Sequence, residues 1–319
     1  MDITKKKNEV IKRSKSACTI RCSVCISTFQ RPQLLEKLLA SLENQVIPEG
    51  VELEIIVVDN DIHRSAKSIF QKFKNSAHIY FSFYSQPLKN ISITRNLGVE
   101  KASGDYILFI DDDEVASPKW VYHLLNAVDR YNVDGVFGPV LPEFNSKTPE
   151  WMWREYFFYK KIPTTGSKAT LKYTGNCIVV ASLLKKMKKP FDPKFGITGG
   201  EDAHLFDRLE QQGARFIYCR EAWVSEFIPP NRARLLYFFL RRMRGGNVHT
   251  RRIIEFADRK KIFMRLYMVT KALTFGSISL VLMVCQITSS VRRTQWLMKF
   301  ASNIGRFLAA IGYHHQSYR

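Results

Sequence analysis

The first 21 residues lack an apolar stretch long enough for a signal peptide, and the chain also lacks internal repeats and low-complexity linkers. We therefore expect a chain that is not secreted, with one catalytic domain and short appendages. The amino-terminal segment is basic instead, and residues 1–20 are predicted to form a flexible arm. The basic residues in and just after this arm are Lys5, Lys6, Lys7, Lys12, Arg13, Lys15 and Arg21.

A complete set of zinc ligands is also missing. Cys18, Cys22 and Cys25 lie close together, but no second ligand pair follows them at the spacing of structural zinc sites. Cys22 and Cys25 also fall within the apolar segment 22–28, which has the composition of a buried strand. We expect the six cysteines of the chain to be reduced cytoplasmic thiols that serve as small apolar residues.

Acidic residues are nearly absent after Pro229, whereas arginine and lysine are frequent there. The whole chain carries a formal charge of +20, which favours an anionic partner: nucleic acid, a phosphorylated substrate or an anionic membrane. The basic residues interleave with long apolar stretches, and this arrangement suits a membrane surface better than a groove for nucleic acid. We predict a helical, membrane-associating region at 251–319 and no nucleic-acid partner.

The segment from Ala272 to Thr288 is mostly apolar and carries no charge, and its length is at the lower limit for a membrane span. Basic residues flank it on both sides, so a simple crossing would leave one basic cluster outside, against the positive-inside tendency. A peripheral attachment to the cytoplasmic face of the plasma membrane, monotopic or re-entrant, is therefore favoured over a single span. The alternative is a soluble helical appendage that packs its apolar faces on the catalytic domain.

Apolar segments alternate with segments of helical periodicity, and the apolar ones span residues 22–28, 54–58, 79–84 and 106–110. This order predicts an α/β fold with a mostly parallel central sheet and crossover helices. Ligands of such open sheets bind at the carboxyl ends of the strands. Those ends carry Thr28, Asp59 and the acidic run 111–114, which we therefore expect at one edge of the sheet.

The run 111–114 consists of four consecutive acids directly after a buried strand. Ionised carboxylates so close together repel one another unless a cation lies among them. Mg²⁺ and Mn²⁺ prefer oxygen ligands, and Mg²⁺ commonly bridges one or two carboxylates to substrate phosphates. Asp111 and Asp113 have the spacing of a DXD motif and are the candidate metal ligands, with Asp112 between them near the donor. The alternative is a solvated acidic loop.

A second acidic pair, Glu201 and Asp202, follows Gly199 and Gly200 and precedes an amphipathic helix. Hydroxyl groups are weak nucleophiles, and a carboxylate within hydrogen-bond reach of one can act as general base. The glycines would allow the backbone to approach a donor closely. The alternative is that both acids only complement the dipole of the helix or cap it.

A basic group, Arg241, Arg242 and Arg244, precedes Gly245 and Gly246. Arginine binds phosphate in a bidentate manner, so these side chains are candidates for holding a nucleoside diphosphate. A basic patch beside the membrane is the other interpretation, and the two are compatible.

The ordered set of motifs resembles glycosyltransferase family 2, which has the GT-A fold. The motifs are Thr28-Phe29-Gln30-Arg31-Pro32, Val57-Val58-Asp59-Asn60, Ser92-x-x-Arg95-Asn96-x-Gly98, Asp111-Asp112-Asp113 and Gly200-Glu201-Asp202. The resemblance implies a catalytic domain at 21–250. The segment 232–246 further resembles bacterial exopolysaccharide glycosyltransferases of the succinoglycan type.

The resemblance also implies roles for the matching residues. Thr28, Phe29 and Arg31 would border the nucleotide base, and Asp59 would recognise it. Arg95 would lie near the ribose and diphosphate, with Asp111 on the ribose. Asp113 would hold Mg²⁺ or Mn²⁺ on the diphosphate. Asp202 would be the general base, with Glu201 beside it.

The implied reaction is an inverting transfer of one sugar from a nucleotide-diphosphate sugar to an acceptor hydroxyl. The Gln-x-x-Arg-Trp motif of processive synthases is absent, and the chain has Arg241-Arg242-x-Arg244-Gly245-Gly246 instead, which favours a single addition. The acceptor would be a saccharide, or a lipid-linked saccharide in bacterial surface polysaccharide synthesis.

Two other functions stay open at the level of sequence. A nucleotidyltransferase can use a related sheet, but its glycine-rich basic phosphate loop is missing after the first strand. A non-catalytic basic scaffold at the membrane, or a nucleic-acid binder, explains the charge but gives the two acidic groups no purpose.

Overall fold

The computed structural model describes residues 19–76, 78–144, 162–286 and 289–315. The predicted basic arm thus lies almost entirely outside the described residues. The described chain divides into two compact units, and the boundary between their longest parts falls after Phe227. The first unit contains the described parts of 1–141, 161–193 and 201–227, and the second those of 142–160, 194–200 and 228–319.

A seven-stranded sheet in the order β3-β2-β1-β4-β8-β6-β9 forms the centre of the first unit. Neighbouring strands β3, β2, β1 and β4 run parallel, as do β6 and β9, and only β8 runs antiparallel to its neighbours β4 and β6. The predicted α/β fold with a mostly parallel sheet is confirmed. The strands are β1 Ile20–Thr28, β2 Val51–Asp59, β3 Tyr80–Ser85, β4 Tyr106–Ile110, β6 Gly135–Phe137, β8 Asn176–Val180 and β9 Phe216–Tyr218.

A smaller sheet of three strands has the order β5-β10-β7. Strand β5, Glu114–Ala116, pairs antiparallel with β10, Val224–Ile228, and the third strand is β7, Val140–Phe144. Since β5 begins only three residues after β4 ends, the acidic run is the link between the two sheets.

Helices cover both faces of the central sheet. The predicted first helix forms as α1, whose apolar stripe Leu35, Leu38, Leu39 and Leu42 is buried. Pro32 begins this helix, where its missing N–H costs nothing. The other helices of the first unit are α2 Lys67–Phe73, α3 Ile91–Lys101, α4 Trp120–Tyr131, α5 Ala181–Lys185 and α6 Glu201–Gln211, and α1 spans Pro32–Glu43.

Successive residues of each central strand are buried in different apolar clusters, one on each face. Val24 and Leu108 belong to the cluster that contains α1, whereas Cys25 and Phe109 belong to the cluster that contains α6. Cys22 lies in the first cluster, so Cys22 and Cys25 point to opposite faces of β1 and are placed to fill the core rather than to share a metal.

The second unit is helical and consists mainly of α7 Leu235–Phe256, α8 Lys261–Cys285 and α9 Ser290–Ala310. Residue 250, where the sequence suggested a domain boundary, lies inside α7, so the helical region begins earlier in the chain. Helices α7 and α9 cross with their backbones in close approach. A side chain at Gly246 would overlap the carbonyl of Ser302, and one at Gly305 would overlap that of Met243.

Helix α8 is the one helix among the described residues that is long and apolar enough to cross a membrane. Only 22% of its most apolar segment is buried within the protein. Its exposed side chains include Ile262, Phe263 and Leu266 near the start and Val281 and Val284 near the end. An apolar surface of this size is unusual for a helix that packs on its own protein, as the soluble-appendage alternative would require.

Candidate active site

The carboxyl ends of three central strands lie side by side, as the sequence predicts. Thr28, the last residue of β1, pairs in register with Asp59, the last residue of β2. Strand β4 pairs with β1 on its other side and ends at Ile110, so the acidic run begins beside Thr28. The parallel arrangement of the strands therefore brings the first and fourth motifs together.

Asp112 and Asp113 are held by residues that follow β1. The hydroxyl of Thr28 donates to Asp112 Oδ2 at 2.8 Å. The guanidinium of Arg31 donates to Asp112 Oδ1 and to Asp113 Oδ2, both at 3.0 Å. Phe29, which lies between Thr28 and Arg31 in the sequence, is half-buried, and Nζ of Lys89 lies 5.0 Å from the centroid of its ring. The Thr-Phe-x-Arg motif thus connects the carboxyl end of β1 to the acidic run.

Arg95 connects the acidic run to the second acidic pair. Its guanidinium donates from Nη2 to Asp111 Oδ1 at 3.1 Å and forms an ion pair through Nη1 with Glu201 Oε1. The side chains of Arg95 and Glu201 are only 9% and 4% exposed, so this pair is buried. The acidic run and the second acidic pair, which lie about ninety residues apart in the sequence, are therefore joined into one site by Arg95.

Helix α3 explains the other residues of the Arg95 motif. Ser92 Oγ donates to the carbonyl of Asp192 at 2.9 Å. The amide of Asn96 donates to the carbonyl of Phe191 at 2.7 Å and accepts from its N–H at 2.9 Å. The polar side chains Ser92 and Asn96 of this helix therefore fix residues 191–192, which precede the loop that leads to the second acidic pair.

Burial and the repulsion of neighbouring acids raise the pKa values of Asp111, Asp112 and Glu114. Burial raises the pKa of Asp112 to about 6, with Arg31 acting in the opposite direction. Burial, with Asp111 nearby, raises the pKa of Glu114 well above its usual range. The pKa of Asp111 is raised by burial and lowered by Arg95. The four acids of the run outnumber the two arginines, Arg31 and Arg95, that contact them. A cation bound among these carboxylates would therefore be stabilised.

The donor atoms present fit a divalent cation that is bound together with a diphosphate. No group of three or more histidine, cysteine, aspartate or glutamate side chains within the described chain is arranged as a complete metal cage. Mg²⁺ is typically bound by only one or two carboxylates plus phosphate oxygens, so an incomplete oxygen set is what this mode requires. The side chain of Asp111 is 45% exposed and that of Asp113 is 13% exposed, and both are oxygen donors.

Gly175, which the sequence did not single out, leaves room beside these acids. A side chain at this position would place its Cβ 2.8 Å from Glu114 Oε1 and 3.2 Å from Asp111 Oδ2. The next residue, Asn176, is fully buried and donates to the carbonyls of Pro139 and Ala222. The start of β8 therefore forms the wall of the acidic site, and only a tertiary structure reveals it.

Asp59 is fully buried and shapes the loop that follows β2. Its two carboxylate oxygens accept from the N–H groups of Asp61 and Ala66, each at 2.9 Å. Burial raises the pKa of Asp59, and these backbone hydrogen bonds lower it. The neighbouring Asn60 donates to the carbonyls of Gln86 and Leu88. Recognition of a base by Asp59 stays a prediction, and its observed contacts organise the loop.

The two members of the second acidic pair have different surroundings. Glu201 is buried, and burial raises its pKa while Arg95 lowers it. Asp202 is half-buried, and its Oδ1 accepts from the N–H of Ala203 at 2.6 Å. Asp202 is therefore the member whose carboxylate is more accessible to an acceptor.

The remaining predicted donor-binding residues belong to the second unit. Gly200 has a φ of +90°, and a side chain there would overlap Val248 of α7. Arg241 is exposed, whereas Arg242 and Arg244 are half-buried. Burial and the neighbouring Arg241 lower the pKa of Arg242. The contact of these residues with a donor stays a prediction.

Comparison with known proteins identifies the family. The family model described as glycosyl transferase family 2 matches residues 23–188, and that of glycosyl transferase family group 2 matches residues 106–311. The succinoglycan biosynthesis protein ExoM of Rhizobium meliloti is 32% identical over 239 residues, which cover 74% of this chain and 76% of that protein. A β-1,3-glucosyltransferase of Campylobacter jejuni that acts on GalNAc(5)-diNAcBac-PP-undecaprenol is 35% identical over 95 residues, or 30% of each chain.

A solved structure shares the fold at low sequence identity. The mannosyltransferase PcManGT of Pyrobaculum calidifontis, in complex with GDP-Man and Mn²⁺, aligns with a TM-score of 0.65 at 14% identity and covers 97% of this chain and 95% of that one. The predicted GT-A fold is thus confirmed, and the protein belongs to glycosyltransferase family 2.

Proposed function

We propose that the protein is an inverting, metal-dependent glycosyltransferase that adds a single sugar from a nucleotide-diphosphate sugar to an acceptor hydroxyl. One observation carries this proposal: Arg95 bonds to both Asp111 and Glu201, so the candidate donor site lies beside the residue that precedes the candidate base Asp202. Family membership decides between the alternatives left by the sequence and favours glycosyl transfer over nucleotidyl transfer and over a scaffold.

Asp113 and Asp111 would hold Mg²⁺ or Mn²⁺ together with the diphosphate. The bound cation would supply positive charge where negative charge develops on the leaving group. The carboxylates of the site outnumber Arg31 and Arg95, which supports this assignment. Burial, with Asp113 nearby, also raises the pKa of Asp112 to about 6, so an added cation would stabilise its ionised form. A divalent cation is also present in the solved structure of the mannosyltransferase PcManGT.

Asp202 would accept the proton of the acceptor hydroxyl. As the O–H bond breaks, the oxygen forms a bond to the anomeric carbon, and the bond from that carbon to the diphosphate oxygen breaks on the opposite face. Glu201 would not exchange this proton, because it is buried and engaged with Arg95. Asp202, which is half-buried, would therefore act as the base, and the buried Glu201 would bind Arg95.

The acceptor would be a saccharide, or one linked to a lipid, in bacterial surface polysaccharide synthesis. The names of two relatives support this, since one belongs to succinoglycan biosynthesis and another acts on an undecaprenol diphosphate saccharide. The exposed apolar surface of α8 and the basic residues on both sides of it support a peripheral position at the cytoplasmic face of the plasma membrane. Attachment would be monotopic or re-entrant, with a single span as the alternative.

The proposal is tested by incubating the purified chain with a panel of UDP- and GDP-sugars, with MnCl₂, MgCl₂ or EDTA, and measuring release of the nucleoside diphosphate. We expect release from one donor or a few, and only with a divalent cation. Turnover that is unchanged in EDTA would contradict the metal assignment, and a lack of binding or turnover across the panel would contradict the proposed donor class.

A further inference from the structure

The loop 194–200 leads directly into Glu201 and Asp202, but it groups with the helical unit rather than with the sequence on either side of it. The chain before the loop is fixed by α3, where Asn90 donates to the carbonyl of Pro193 at 3.0 Å. The chain after it is fixed by the ion pair of Glu201. The conformation of the loop itself therefore depends on its contacts with the helical unit.

Arg251 of helix α7 makes these contacts with three residues of the loop. Its guanidinium donates through Nη1 to the hydroxyl of Thr198 and through Nη2 to the carbonyl of Lys194 at 2.8 Å. The guanidinium carbon also lies 4.1 Å from the ring centroid of Phe195, which is 1% exposed. One side chain thus joins the first residues of the loop to a residue near its end.

The backbone at the end of the loop is constrained at Gly199 and Gly200. The N–H of Gly199 donates to the carbonyl of Phe195 at 2.7 Å, and Gly199 and Gly200 have φ of +81° and +90°. A side chain at Gly200 would overlap Val248, which lies about one turn before Arg251 on α7. Helix α7 therefore sets the path of the backbone up to the peptide that joins Gly200 to Glu201.

We propose that Arg251 is a positioning residue for glycosyl transfer, which holds the loop 194–200 on α7 and thereby sets the position of Asp202. This inference rests on the proposed role of Asp202 as base. A base must lie within hydrogen-bond reach of the acceptor hydroxyl, and a displacement of about 1 Å can lower the rate about 100-fold.

Arginine is suited to this position for two reasons. Its planar guanidinium can lie over the ring of Phe195 while its N–H groups reach two different oxygens. A lysine would keep the charge and one hydrogen bond but lose the planar contact. The Arg251→Lys variant is therefore expected to recover only part of the function.

The experiment compares Arg251→Met, Arg251→Lys and Thr198→Val in the full-length chain, with Arg130→Met as control because Arg130 is an exposed arginine of the other unit. Release of nucleoside diphosphate with MnCl₂ gives kcat and donor KM, and titration gives the Kd of UDP or GDP. We expect Arg251→Met to lower kcat by about 10- to 100-fold, with the Kd within about twofold of wild type. Arg251→Lys should be intermediate, and the control unchanged.

Two further measurements separate positioning from a general loss of structure. The effects of Thr198→Val and Arg251→Met on kcat should be less than additive, since both remove the same hydrogen bond. Hydrogen exchange in the peptide 194–202 should be faster in Arg251→Met, while peptides of β1 and β4 exchange as in wild type. Unchanged kcat in Arg251→Met, or equal losses of kcat and diphosphate affinity, would overturn the role of Arg251. An inactive wild-type chain would overturn the proposed function itself.

Discussion

Arg95 and Glu201 form a buried ion pair although 106 residues separate them in the sequence. The pair links helix α3 to the first residue of helix α6, and the same guanidinium also reaches Asp111. The site is therefore assembled by one arginine that contacts both of its acidic groups. Arg95, Asp111 and Glu201 thus form one connected set of charged side chains.

Breaking this pair should destabilise the fold as well as the site. Removal of one partner from a buried ion pair leaves an uncompensated charge, which costs about 3–5 kcal/mol. We expect Arg95→Met to lower the free energy of unfolding by up to this amount in urea denaturation at pH 9, where ionisation of Glu201 is favoured. Because burial raises the pKa of Glu201, protonation of this carboxyl at lower pH should recover part of the loss.

The double variant Arg95→Met/Glu201→Gln provides the control for the ion pair. It should lose less stability than the sum of the two single variants, since the second substitution removes the unpaired charge. Strictly additive losses would show that the two side chains do not interact in solution.

Asp113→Ala should remove metal-dependent transfer and leave the fold intact. The side chain forms an ion pair with Arg31 and does not belong to the apolar clusters of the core. A metal ligand contributes several kcal/mol to the stabilisation of a leaving group, so we expect the rate with MnCl₂ to fall about 100-fold or more. The exposed acid Glu52 is the matched control, and Glu52→Ala should retain the wild-type rate. Wild-type activity in Asp113→Ala would remove this residue from the metal site.

The buried thiols should be inert in the native protein. Burial raises the pKa of Cys22 to about 12 and that of Cys219 to about 11, so little reactive thiolate forms at pH 8. Cys285 is the exposed cysteine within the described part of the chain. In the variant Cys18→Ser/Cys285→Ser, we expect no fast reaction with Ellman's reagent before denaturant is added and full reaction afterwards. A fast reaction in the native state would show that the thiols described as buried, such as Cys22 of strand β1, are accessible to the reagent.

The exposed start of helix α8 should control attachment to the membrane. Phe263 and Leu266 are 70% and 66% exposed, so their replacement by serine removes little packing within the protein. Each large apolar side chain that enters a membrane contributes about 2 kcal/mol, so the double variant should shift from the membrane pellet to the soluble fraction. Ile62→Ser, which changes a residue of the first unit that is 68% exposed, should stay in the pellet. A wild-type chain that is soluble at low salt without detergent would contradict membrane attachment.

The sequence was sufficient for the features that depend on local pattern. Apolar strands that end in Thr28, Asp59 and Asp111 predicted both the sheet and the edge that carries the site, because parallel strands align their ends. The wall at Gly175 and the clamp at Arg251 were not predictable in this way. Each depends on residues that are far apart in the chain and that meet only in the folded structure.

One motif also shows how a sequence signal can combine two causes. Arg241, Arg242 and Arg244, which precede Gly245 and Gly246, suggested a phosphate-binding segment. In the structure, Gly246 is required by the close crossing of α7 and α9 at Ser302. Gly246 is therefore needed for helix packing. The local sequence alone does not distinguish this requirement from one for ligand binding.

Asp202 provides the most direct test of the central claim, that the site assembled by Arg95 transfers a sugar with a carboxylate base. The measurement is kcat for release of nucleoside diphosphate, with the Kd of UDP or GDP, for wild type, Asp202→Asn and Glu201→Gln. We predict that Asp202→Asn lowers kcat about 100-fold or more and binds the diphosphate as wild type does. An Asp202→Asn variant with wild-type turnover, beside an inactive Glu201→Gln, would contradict the assignment and make Glu201 the base.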